Sequence, residues 1–72
     1  MLSKQQKKEL LLLMAELPKY VDEDLAQSAL ADLARASEET WEDLYQRIFI
    51  RKDWPREYKH PSVFIKRVFD HM

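Results

Sequence analysis

Seventy-two residues can hold one domain at most, and with two His and no Cys they offer no disulfide, no thiolate site and no zinc-ligand spacing. The chain has no Gly, where an average chain of its length carries about five at the usual ~7%. Walker loops, dinucleotide fingerprints and nucleophile elbows need Gly for positive φ or close ligand approach, so none is present in its usual form. The formal net charge of −1 conceals a polar layout: residues 1–19 carry four Lys against two Glu, residues 20–45 eight acids against Arg35 alone, and residues 46–72 seven bases against three acids.

Ser3 with Gln6 three residues on has capping-box spacing, in which side chain and backbone bond reciprocally to start a helix. The first helix is predicted to run to about Leu17. Pro18 stops it, because proline disfavours helical geometry in the residue before it. Leu10, Leu13, Met14 and Leu17 follow the i, i+3, i+4, i+7 template of a core-facing stripe. Leu11 and Leu12 fall outside it, so this helix either packs on two sides or exposes a patch to a partner. The six apolar residues of 10–15 are bracketed by Glu9 and Glu16. That run is shorter than the ~7–15 residues of a signal h-region and the ~20 of a membrane span. A core-facing helix in a cytoplasmic protein is the expectation.

Asp22, Glu23 and Asp24 put negative charge where a second helix should begin, complementing the dipole. Leu25, Ala26, Ala29, Leu30 and Leu33 form its apolar stripe, and it ends near Ala36. Ser37 is an N-cap for the third helix, with Glu38 and Glu39 in the first turn. Trp41, Leu44, Tyr45, Ile48 and Phe49 then match the helical template, with Arg47 and Arg51 toward the favourable C-terminal end.

Residues 52–60 read as an irregular loop. Trp54 and His60 each precede a proline and are biased to extended or capping geometry. Pro55 can open a single helical turn that brings Trp54 near Tyr58. Pro61 opens the last helix, with Ser62 read as a cap beside it and Phe64, Ile65, Val68, Phe69 and Met72 as its apolar face. The expected fold is all-α: one domain over 1–72, a small bundle of about four helices, the last short and preceded by the proline and aromatic loop.

Catalysis has little to draw on. His60 and His71 are the only side chains that ordinarily titrate near neutrality, and they read as a cap and a terminal residue. Asp22, Glu23 and Asp24 lack the alternation and the Gly of a calcium loop. No enzyme activity, metal, cofactor or small-molecule substrate is expected. A helix-turn-helix of the second and third helices fails as a DNA reader, because Glu38, Glu39, Glu42 and Asp43 would face phosphates. The basic, leucine-rich first helix is a poor membrane binder, since Glu9 and Glu16 interrupt it.

The C-terminal third interleaves bases with aromatics. That mix contacts phosphates and stacks on bases, and equally makes protein interfaces. The expectation is a non-enzymatic protein-binding module, a regulator or adaptor acting by surface occupancy, with a homodimer as one form. Its candidate partner-binding residues are Arg51, Trp54, Arg56, Tyr58, Lys59, His60, Lys66 and Arg67. The alternative is a nucleic-acid-binding protein using the same third of the chain.

Overall fold

A computed structural model of the chain describes residues 1–71. Among them four α-helices occur in the order α1 (Lys4–Met14), α2 (Glu23–Arg35), α3 (Glu38–Tyr45) and α4 (Pro61–Asp70). A π turn, Gln46–Ile50, continues α3 without a break, and short 3₁₀ turns lie at Leu17–Lys19 and Arg56–Tyr58. No strand occurs among the described residues. The protein is a small all-α bundle.

Three of the four helix starts are set by local side-chain chemistry. The Ser3 hydroxyl accepts from the Gln6 N–H at 3.1 Å while the Ser3 N–H donates to Gln6 Oε1 at 2.9 Å, completing the capping box. The Ser37 hydroxyl accepts from the Thr40 N–H at 3.2 Å. At α4 the cap is His60, whose Nδ1 accepts from the Ser62 N–H at 3.2 Å, with Pro61 in the first turn. Ser62, read as a cap from sequence, is instead fully buried beside it, its hydroxyl 2.6 Å from His60 Nδ1. A buried hydroxyl needs such a partner, because desolvating it unpaired is costly. Only α2 starts without a side-chain bond from its cap residue, Asp22, and there Glu23 and Asp24 meet the dipole.

The first helix ends earlier than its spacing suggests. Pro18 has no N–H to return to Met14, and its ring crowds that carbonyl. The bonding therefore tightens from Glu16 onward, with Glu16 N–H to Leu13 O at 3.1 Å and Lys19 N–H to Glu16 O at 3.0 Å. Leu17 still reaches the core. Pro18 itself sits inside the following turn, Leu17–Lys19, so the helix ends three residues ahead of the expected Leu17.

The core is one cluster in which Leu10, Leu17, Leu33, Leu44 and Ile65 are fully buried. Trp41, Tyr45, Ile48 and Phe64 join them, and Trp54, Tyr58, Val68 and Phe69 pack half-buried at its edge. In α2 the buried stripe is narrower than predicted. Ala26, Ala29 and Leu33 are inside, but Leu25 and Leu30 stay 48% and 37% exposed. α2 packs on α4 and on the turn Leu17–Lys19, and these neighbours leave Leu25 and Leu30 at its uncovered side. Met72, assigned to the apolar face of the last helix, lies outside the described residues. Lys7 pairs with Glu38, and the N-terminal amine with Glu42, so part of the basic start is matched by the acidic α3 within the chain.

Candidate interaction surface

Left-handed backbone marks the loop before α4. Lys52 has φ 54° and Lys59 φ 68°, conformations that usually fall to Gly and that this Gly-free chain gives to lysines. Side-chain contacts hold the loop between them. Arg51 and Arg47 approach the Asp53 carboxylate at 3.7 and 3.9 Å, and the Asp53 N–H donates to the Arg47 carbonyl at 3.0 Å. The Arg56 guanidinium lies 4.3 Å over the Trp54 ring and donates to the Lys52 carbonyl at 2.7 Å. Pro55 caps the turn Arg56–Tyr58 rather than opening it, and Tyr58 stacks on Phe64 with centroids 6.2 Å apart.

The eight residues picked out by sequence therefore do not form one patch. Arg51, Trp54 and Arg56 belong to the corner around Asp53. Tyr58 and Arg67 share a hollow of about 310 Å³ with Pro55, Val68 and His71. Lys59 is exposed at the left-handed corner. Lys66 reaches along α4 to Asp70 at 2.6 Å, and this bond holds the Asp70 carboxyl below its usual range. His60 turns to another face, where its ring stacks on Tyr20 with centroids 4.7 Å apart. Among the described residues Lys52, Arg56, Lys59 and Arg67 pair with no carboxylate.

A second surface lies between α1 and the continuation of α3. Glu9, Leu12, Leu13 and Glu16 stand at i, i+3, i+4 and i+7, so they form one stripe along α1 and the turn after it. Opposite stand Tyr45, Phe49 and Ile50, and His60 joins the lining of a groove of about 640 Å³. Leu12 is 60% and Ile50 57% exposed, and both are apolar. The π turn brings Ile50 here. At 3.6 residues per turn a residue five on lies about 140° round the helix from Tyr45. The wide turn, closed by the Arg51 N–H to Gln46 carbonyl bond at 2.7 Å, swings it back toward that face.

The groove is acidic at its α1 rim. The Tyr45 hydroxyl donates to Glu9 at 2.5 Å, and Tyr45 stacks on Phe49 with centroids 4.7 Å apart. The bond to Glu9 raises the phenol above its ordinary value, and desolvation adds to the shift. Glu16 accepts from Lys19 at 3.1 Å. No Lys or Arg lines the groove. The bracketing of the leucines by Glu9 and Glu16 was legible in the sequence, but their alignment with Ile50 was not, because it depends on the π turn.

A third hollow, of about 460 Å³ between α2, α3 and α4, is lined by groups already bonded to one another. Arg35 pairs with Asp32 at 2.7 Å, and the Ser37 and Thr40 hydroxyls lie 3.1 Å apart. Among the described residues no group of three or more His, Cys, Asp or Glu could hold a metal ion, and no helix is long and apolar enough to cross a membrane. No protein-family model, curated protein or solved structure matches the chain.

Proposed function

We propose that this protein is a small, non-enzymatic protein-binding module, a regulator or adaptor that acts in the cytoplasm by occupying a surface on a protein partner. The observation that carries the reading is the groove, where Leu12 and Ile50 remain more than half exposed. A chain this short buries only about 60% of its unfolded surface, so its core is thin. Burying a Leu or Ile side chain contributes roughly 1.5–3 kcal/mol. Two such residues held together at the surface forgo stability that the fold could use, and a partner that covers them recovers it.

The nucleic-acid reading rests on Lys52, Arg56, Lys59 and Arg67, the cations of the C-terminal third that have no carboxylate partner among the described residues. Against it, Arg56 covers a face of Trp54 and Tyr58 stacks on Phe64, which engages the rings a base would use. The two readings separate in one experiment. Tagged protein is used to capture ligands from its native lysate with and without nuclease. A stoichiometric protein partner that survives digestion supports the binding module. Recovery of nucleic acid, with affinity falling by about 0.9 log unit per phosphate contact for each log unit of salt, supports the alternative and rejects the module.

A further inference from the structure

We infer that the groove between α1 and the π turn receives a cationic amphipathic helix of a protein partner, gripped by apolar contacts along its floor and by the two carboxylates of its rim. The inference rests on the binding-module reading and gives its partner a chemistry. Three features of the groove specify that occupant.

The floor is apolar. Leu12, Leu13, Phe49 and Ile50 offer contact to a row of apolar side chains, as in the helix-in-groove mode, where anchors recur at i, i+3, i+4 and i+7. The walls are themselves helical, so ridges of a third helix can seat between them.

The two carboxylates that line the groove, Glu9 and Glu16, give its lining one sign of charge. Glu9 and Glu16 lie seven residues apart, Glu9 on α1 and Glu16 in the turn just past its end, about two turns from each other. A partner helix lying along α1 meets both with basic residues two turns apart. Lys19, which pairs with Glu16, is itself exposed, so an incoming guanidinium can displace it. Like-charge rims reject acidic helices, which gives the groove selectivity as well as affinity.

The rim is also pre-organised. Glu9 is held by the Tyr45 hydroxyl, and Tyr45 is buried and stacked on Phe49. A carboxylate fixed before binding loses less rotamer freedom when a partner arrives. The π turn that puts Ile48 into the core and Arg47 over Phe64 also turns Ile50 into the groove, and π turns recur at functional sites.

The test uses the full chain and a synthetic amphipathic helix of about 18 residues, long enough to match the groove and the flanking turns. The peptide carries leucines on one face and arginines seven residues apart beside it, and a control carries glutamates in place of the arginines. Fluorescence anisotropy is expected to show the arginine peptide binding at least tenfold more tightly than the control. Leu12→Asp and Ile50→Asp are each expected to weaken it tenfold or more with the helical circular dichroism intact. Glu9→Gln with Glu16→Gln should weaken it and flatten its salt dependence. Equal binding of the two peptides, or indifference to Leu12→Asp and Ile50→Asp, would overturn the proposal. So would sedimentation showing a dimer that Leu12→Asp converts to monomer, since the occupant would then be a second copy. Should neither peptide bind while wild type still captures a nuclease-resistant partner that Leu12→Asp also captures, the groove is rejected and the binding-module reading stands on another surface.

Discussion

Tyr45 shows how one contact ties sequence-distant helices into a surface. Its hydroxyl donates to Glu9, which favours the neutral phenol in the folded state. The stability this contributes is present below the phenol's ordinary value near 10 and is lost as pH rises through the elevated folded value. Ultraviolet titration should therefore find one of the three tyrosines ionising later than the others, and Glu9→Gln should bring it back toward them. Carboxylates behave in the opposite sense. Lys7 lowers Glu38, and Lys66 lowers Asp70. Their contribution is present above the usual carboxylate range and is lost as pH falls through the lowered values. Lys7→Met should return Glu38 toward 4.5, read by its carboxyl carbon shift in an NMR titration. At the same scale Lys59 occupies left-handed backbone where a Cβ is unfavourable. Lys59→Gly is expected to stabilise the fold by about 0.5–1 kcal/mol in urea unfolding. A loss of stability would mean that the side chain itself holds the turn.

Among the elements, α4 depends on a histidine for its start. Removing that acceptor in His60→Ala should cost about 1 kcal/mol and fray the helix, while His60→Asn, with an oxygen in the capping position, should regain most of it. Thermal unfolding followed by circular dichroism measures both. If Ala and Asn behave alike, stacking on Tyr20 rather than capping sets the role of His60. Elements also show what the sequence could and could not disclose. The caps Ser3, Ser37 and His60 were legible, because capping is decided within four residues. So was the apolar face of α3 and its continuation, where Trp41, Leu44, Tyr45 and Ile48 are buried and Phe49 half-buried. Leu25 and Leu30 fall on the predicted stripe but outside the core, since the part of a stripe that is covered depends on where neighbouring elements pack. The π turn left no local signal. Arg47, which lies 4.7 Å over Phe64 and reaches Asp53, braces it by contacts with α4 and the loop that spacing alone does not show. The candidate residues of the C-terminal third were scattered by that same loop, which aims His60 at one face and Tyr58 at another.

At the scale of the molecule, the core and the groove make opposite demands on the same small stock of apolar residues. Ile65 is fully buried. Ile65→Ala should cost about 2–5 kcal/mol, a large part of the roughly 4–11 kcal/mol available to a chain of this length at ~0.05–0.15 kcal/mol per residue. The charge segregation read from the sequence is partly spent inside the fold, where Lys7 and the N-terminal amine meet α3. What stays outward is an apolar groove with an acidic rim and, on the loop and α4, a set of cations that pair with no carboxylate among the described residues. The central claim is that Leu12 and Ile50 are at the surface for a partner. The measurement that tests it most directly is the unfolding free energy and the lysate capture of a Leu12→Lys, Ile50→Lys double variant, side by side with wild type. The expected result is a variant at least as stable as wild type, within about 0.5 kcal/mol or better, that no longer retains the nuclease-resistant partner. A stable variant that captures the same partner to the same extent, or one that unfolds because the two residues were core after all, would contradict it.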